Sequence, residues 1–414
     1  MKRLWPLTLR GTGAVALALV AFVVAHEAGL AELVYFGVLL LAVVGGGLVS
    51  LFATRRTEAV ARSLVPDVAA VGRATAVRIR VGMRSALPTA PGTWEDTLPA
   101  GLIGRARGVF PALGSGLRGG DAAVELQYTV EGRRRGVHSL GPLVVTATDP
   151  FGLARRRFSV GGRTRVTVAP AIVELAPLPT VHGEAGGMLQ TANAQLGQGA
   201  DNLVARPYAP GDSMRRIHWR ATAHRDALMV RQEEQEASPE ATVVLDRSEA
   251  RWGADAVLAP GKDAGFEAAV SAAVSVVHQL VREGYTVEVA DSDGMLLTDP
   301  IVGGELADVE AFAAQLASLT ARRGDDLGRV PGLFAGVLAG PVAVITGRLS
   351  PADADGLGAL AHHSSLPILL AVGTAPAAVD RARAAGWCAA SVATSSAIAP
   401  AWEEALERGR AHVG

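Results

Sequence analysis

The chain has 414 residues, enough for two or three domains with real cores. Its net charge of −1 argues against a nucleic-acid binder, which carries a basic excess. A hydrophobic content of 49% with mean hydropathy +0.28 is high for a wholly soluble protein, and the single cysteine, Cys388, excludes an internal disulfide or a cysteine-rich zinc site.

Residues 1–56 read as a transmembrane helical hairpin. Gly11 to Ala25 is uncharged, and Leu33 to Ala53 is long enough to cross about 30 Å of hydrocarbon. A signal peptide is the rival reading of the first span, but no small-x-small cleavage site precedes the second. Lys2, Arg3, Arg10, Arg55 and Arg56 flank the outer ends, whereas the intervening loop holds Glu27 and Glu32 and no Lys or Arg. The positive-inside rule then places both ends, and the bulk of the chain, in the cytoplasm. Gly45-Gly46-Gly47 is the expected point of close helix approach.

Residues 57–175 lack helical periodicity. VRIRVGMR from Val77 and AAVELQYTV from Ala122 alternate apolar and polar residues, the period of half-buried strands. Further strands are expected in GVHSL, PLVVTATD, ARRRFSV and TRVTVAP, and the short Gly/Pro punctuation points to an antiparallel β-sandwich. Asp149-Pro150-Phe151-Gly152 reads as a turn carrying a buried aromatic. The triplets Arg133 to Arg135 and Arg155 to Arg157 read as solvated hairpin edges, with anionic lipid as the alternative contact.

Residues 176–240 form a linker and a dense polar segment. Pro210-Gly211 signals a turn, Asp212 stands where a helix N-cap belongs, and a helix is expected from Ser213 to about His224. Arg216, Arg220 and His224 share one face of it, and LMVRQEEQE follows as an extended stretch. Internal charge pairing between helix and acidic run competes with a docking surface for another protein. Catalysis through Asp212, His218 or His224 lacks an accompanying nucleophile or metal-ligand spacing.

Residues 241–414 alternate strands and helices. ATVVLD is a nearly continuous apolar strand, Phe266 to Arg282 an amphipathic helix, and PVAVITG and LPILLAVG are further strands. Repeated β-α units imply a doubly wound α/β domain with a parallel sheet. No phosphate-binding loop is present in it. Cys388, between Trp387 and Ala389, reads as an inert buried thiol.

The string YAPGDSMRRIHWRATAHRDALMVRQEE resembles the signature of the domain of unknown function 58 family: Arg-x-Tyr-x-x-Gly-Asp, then Arg-x-Ile-(Asp/His)-Trp, then a small and basic stretch. Arg206, Tyr208, Gly211, Asp212, Arg216, Ile217 and Trp219 carry the match. GVHSLGPLVVTATDPFGLARRR is similar to a second segment of the same family. The resemblance implies a membrane-anchored protein with a von Willebrand factor A-like C-terminal domain, associated with a MoxR-type AAA ATPase. Arg206, Arg215, Arg216, Trp219 and Arg220 are then the candidate contact surface, Arg and Trp being common energetic anchors.

The von Willebrand factor A resemblance also raises a cation site, built in that fold on an Asp-x-Ser-x-Ser loop with further Thr and Asp ligands. Here the loop reads Asp246-Arg247-Ser248-Glu249-Ala250, Thr346 is retained, and Gly347 stands where an Asp would help. Asp246, Ser248 and Thr346 thus form a degenerate site at which Mg²⁺ is disfavoured; Asp291 and Asp293 read as turn residues. The expected function is a cytoplasmic binding or scaffold protein at the membrane, acting in assembly or activation of other proteins. A metal-dependent adhesion-type module and a hydrolase using His218 or His224 are the alternatives.

Overall fold

The computed structural model describes residues 5–53, 59–83, 90–112, 122–179, 203–207, 219–225, 228–233, 239–324, 327–334 and 339–413. The chain forms two compact units. One comprises Met1–Ala171 with Leu258–Lys262 and Ala313–Leu319; the other comprises Ile172–Val257, Asp263–Phe312 and Thr320–Gly414.

The first unit begins with two apolar helices, α1 (Leu9–Ala28) and α2 (Ala31–Ala53). Thr8 caps α1 by accepting from the Gly11 amide at 3.1 Å. Gly29, at φ 65°, ends α1 in the left-handed region that glycine enters without penalty. Small residues let the helices meet: Ala18, Ala21 and Ala25 are buried, and a Cβ on Gly37 would come within 2.7 Å of the Phe22 ring. The close approach of α1 expected at Gly45-Gly46-Gly47 does not occur, because the helices meet through other small residues. Gly45 and Gly46 face open space, while Gly47 lies against Asp149. Leu17, Leu19, Val23, Leu39 and Val49 stay exposed around the pair.

Among the described residues eleven strands follow in this unit: β1 (Ala59–Val65), β2 (Ala69–Ala70), β3 (Ala74–Met83), β4 (Ala90–Asp96), β5 (Leu102–Gly104), β6 (Arg107–Phe110), β7 (Ala122–Gly132), β8 (Gly136–Leu140), β9 (Leu143–Thr148), β10 (Arg155–Val160) and β11 (Thr164–Ala169). They form sheets in the orders β1-β3-β7-β5, β10-β9-β4-β6 and β2-β11-β8, antiparallel except for the β2–β11 pair. The period-2 pattern decides which side chains turn inward. Val77, Ile79 and Val81 of β3 join Leu126 and Tyr128 of β7, Trp94 of β4 and Leu143 and Val145 of β9 in one apolar core. Within that core Arg62 pairs with Asp96 at 3.1 Å, with the side chains 1% and 0% exposed, and the Tyr128 hydroxyl donates to Asp96 at 2.8 Å.

Two expectations for this unit are overturned. Phe151 is 63% exposed, because the turn at Asp149 spends its polar groups on itself and leaves the ring outside. Arg135 is 1% exposed and donates to the Leu316 carbonyl, so the 133–135 triplet is not a uniformly solvated edge. Arg156 likewise turns inward, donating to the Leu51 carbonyl at 3.1 Å.

In the second unit, β12 (Leu203–Pro207) and β13 (Met229–Glu233) pair antiparallel. A parallel five-stranded sheet follows, from β14 (Glu240–Leu245), β15 (Thr286–Asp291), β16 (Ala339–Thr346), β17 (Ser364–Val372) and β18 (Cys388–Val392), in the order β15-β14-β16-β17-β18. Alternate residues face opposite layers. Val244, Val342, Val344 and Leu369 join Leu357, Leu360, Val379 and Trp387 in one core cluster. The Ala264–Arg282 helix is buried along nearly its whole length and packs on the same strands. It is long and apolar enough to cross a membrane, but 78% of its apolar stretch is buried in protein, which makes it a core helix. Pro351–Gly356 starts with a capping box, in which the Ser350 hydroxyl accepts from the Asp353 amide and the Asp353 carboxylate accepts from the Ser350 amide. Cys388 is buried, and burial pushes its thiol above the ordinary value.

Candidate functional site

In an open parallel sheet, the crevice beyond the carboxyl ends of the strands is the usual ligand position, at the point where strand order reverses. Here that point lies between β14 and β16, and Asp246 is the first residue past β14. Its amide donates to the Ile345 carbonyl at 2.8 Å, which fixes the start of the loop. One carboxylate oxygen accepts from the Ser248 amide at 2.9 Å and the Ser292 hydroxyl at 3.3 Å. The other accepts from the Thr346 hydroxyl at 2.7 Å. Trp252 closes the loop by donating its indole N–H to the Asp246 carbonyl at 3.1 Å.

The fold therefore brings Asp246, Ser248 and Thr346 together and adds Ser292, which sequence reasoning missed. Its only signal was its place one residue past the neighbouring strand β15. All four residues are buried. Burial raises the Asp246 pKa above the usual carboxylate range, opposed by the bonds from Ser248 and Thr346 and by the charge of Arg251.

Around this centre the charges are committed in pairs. Arg247 donates to the Thr320 carbonyl at 3.1 and 3.0 Å and lies 3.5 Å from Asp291. Arg322 reaches Asp291 at 3.2 Å and also pairs with Asp293, which Arg329 meets at 3.1 Å. Asp291 accepts from the amides of Asp293 and Met295, so it is a turn residue as well as an ion-pair partner. Ala250 lies in the 3₁₀ turn Glu249–Arg251 and supplies no side-chain oxygen. A Cβ at Gly347 would collide with the Arg251 carbonyl.

A divalent cation needs several open oxygen ligands. Both Asp246 oxygens already accept, the nearby carboxylates are held by guanidiniums, and Arg247 puts positive charge beside the loop. These residues do not fit the ion that the Asp-x-Ser-x-Ser resemblance implies. Among the described residues no group of three His, Cys, Asp or Glu side chains could hold a metal.

The signature segment is described only in part. Arg206 lies in β12, in register with Val230 of β13. Trp219 opens the Trp219–Arg225 helix with 70% of its surface exposed, and Arg220 follows it. The Thr222 hydroxyl accepts from the Met229 amide at 3.0 Å, tying the helix to β13. Tyr208, Gly211, Asp212, Arg215, Arg216, Ile217 and His218 lie outside the described residues. His224 is exposed on the helix.

Residues 204–330 match the model of a family described as "Protein of unknown function DUF58". The chain carries a DUF58 segment. That span takes in the signature strands and helix, the Asp246 loop and Ser292; Thr346 lies beyond it. No curated protein matches the chain. Among solved structures, the crystal structure of a GH20 exo-beta-N-acetylglucosaminidase from Vibrio harveyi in complex with N-acetylglucosamine aligns with 81% of each chain. At 9% identity and a TM-score of 0.17, it carries no argument about fold or function.

Proposed function

We propose that this protein is a non-catalytic binding or scaffold protein, anchored by α1 and α2 in a membrane with the remainder cytoplasmic. The observation that carries the reading is the pair of N-terminal helices, whose large apolar side chains are left bare over lengths suited to a bilayer. Lys2, Arg3, Arg10, Arg55 and Arg56 at the outer ends support the orientation. A von Willebrand factor A-like assignment for the C-terminal α/β domain rests on the parallel sheet with an Asp-x-Ser loop past its first strand. The preceding strands are read as a β-sandwich on their shared core. The self-satisfied Asp246 cluster favours a metal-free platform.

The family resemblance suggests a MoxR-type AAA ATPase as partner and a role in assembly or activation of other proteins. Arg206, Arg215, Arg216, Trp219 and Arg220 are the proposed contact surface, and the exposed Trp219 fits that role. Capture of the ATPase by the intact chain, and its loss in Arg216→Ala/Arg220→Ala, is the expected result. Equal capture by both chains would refute the surface. Digestion of the C-terminal half by protease added outside whole cells would refute the orientation. A melting shift of several degrees on adding Mg²⁺ would favour the metal-dependent module instead.

A further inference from the structure

Phe151, expected to be buried in its turn, is exposed, and the turn sits at one end of the apolar hairpin. The backbone clasps it there. The Thr8 amide donates to the Leu153 carbonyl at 2.9 Å, the Thr8 hydroxyl to the Gly152 carbonyl at 2.7 Å, and the Arg155 amide to the Pro6 carbonyl at 2.8 Å. Gly11 and Gly47 are points of close approach. A Cβ on Gly11 would collide with the Leu153 carbonyl, and one on Gly47 would lie 2.8 Å from Asp149 Oδ2. Asp149 is fully buried, its carboxylate accepting from the amides of Phe151 and Ala154. The turn is therefore held against the helices rather than tethered to them.

Its depth follows from helix geometry. At 1.5 Å per residue, about 27 Å of α1 runs from Gly11 to Ala28, and about 26 Å of α2 from Ala31 to Gly47. A hydrocarbon core is about 30 Å thick. If the helices span it, the turn has no room to stand clear of the lipid and must lie at the boundary between acyl chains and headgroups. The side chains there suit that layer. Trp5 and Phe151 are each 63% exposed and Phe52 57%. Arg156 lies 4.4 Å above the Phe52 ring, and Arg10 and Arg155 are exposed beside the turn. Aromatic rings at headgroup level with guanidiniums reaching lipid phosphates are the composition of a membrane interface.

We propose that Pro150–Leu153 is an interfacial wedge. Phe151 inserts beneath the headgroups, Arg10 and Arg155 meet lipid phosphate oxygens, and the strand-rich region is thereby seated on the bilayer surface. This rests on the spanning reading of α1 and α2, and the test separates the two. The full chain, with Cys388→Ala, carries a single environment-sensitive fluorophore at Phe151→Cys, Leu39→Cys or Val109→Cys and is reconstituted in phospholipid nanodiscs. Leu39 is exposed in mid-α2; Val109 is exposed on β6, the sheet edge opposite β10.

With a nitroxide just below the lipid headgroup, the probe at 151 is expected to lose most of its emission and the probe at 109 none. With the nitroxide at the chain end, the probe at 39 is expected to be the one quenched. Quenching at 39 with a silent 151 overturns the wedge and leaves the span standing. Silence at both positions removes the span and the wedge with it.

Discussion

Replacing Arg62 with alanine should loosen the whole strand-rich region, for reasons that lie with its partner. The guanidinium donates from Nε and Nη2 to the two oxygens of Asp96 at 3.1 Å each, and from Nη1 to the Gly162 carbonyl at 2.9 Å. Two effects compete. The net worth of a buried pair is small once both desolvation costs are counted, but removing one member strands the other charge out of water. The second effect dominates, at about 3–5 kcal/mol. Among the described residues, the Tyr128 hydroxyl alone would still donate to the Asp96 carboxylate. Burial first, then Asp96, already hold that phenol well above its ordinary value, so it stays protonated and keeps donating.

Set against about 5–15 kcal/mol for a whole domain, the loss is large. Hydrogen exchange of the full chain in nanodiscs, read on peptides from β1, β3 and β7, should quicken by roughly two to three and a half powers of ten, at tenfold per 1.4 kcal/mol. Arg62→Met with Asp96→Leu should recover much of it, because no stranded charge is left. A change below about 1 kcal/mol for Arg62→Ala, or a double variant no better than the single, would refute the reasoning.

Asp246→Ala leaves the buried Ser248 amide and Thr346 hydroxyl short of an acceptor and should cost about 1–3 kcal/mol in thermal melting of the full chain; a neutral result would mean the cluster relaxes. The Asp353 carboxyl is pushed up by burial, but bonds from Arg251 and Ser350 outweigh this and hold its pKa below 3.8. Its contribution is therefore complete above 3.8 and is lost as pH falls through the lower folded-state value. Asp353→Asn should flatten that acid limb, and an unchanged limb would remove Asp353 as its source. Alanine normally favours a helix over glycine by about 1 kcal/mol. Gly45→Ala, with nothing within 4 Å, should follow that rule, whereas Gly47→Ala meets Asp149 and should destabilise α2. Equal stabilisation by both would count against the clasp.

Local patterns made much of the fold legible. Uninterrupted apolar runs marked α1 and α2, alternation marked β3 and β7, and strand–helix alternation marked the parallel sheet. The site was less legible. Asp246 and Ser248 stood out by spacing within one loop. Ser292 did not, since it comes to Asp246 from another strand, and Arg322 did not, since its ion pairs lie across loops.

What the residues by themselves determined is periodicity: the faces available for burial, and the segments too apolar for water. That information is local because it depends on 3.6- and 2-residue repeats. Tertiary structure decided which groups meet across long stretches of chain, such as Ser292 and Asp246, 46 residues apart, or Thr8 and Gly152, 144 apart. It also decided that Phe151 points outward and Arg135 inward. A turn residue's exposure depends on what packs over it, and no repeat in the sequence encodes that neighbour.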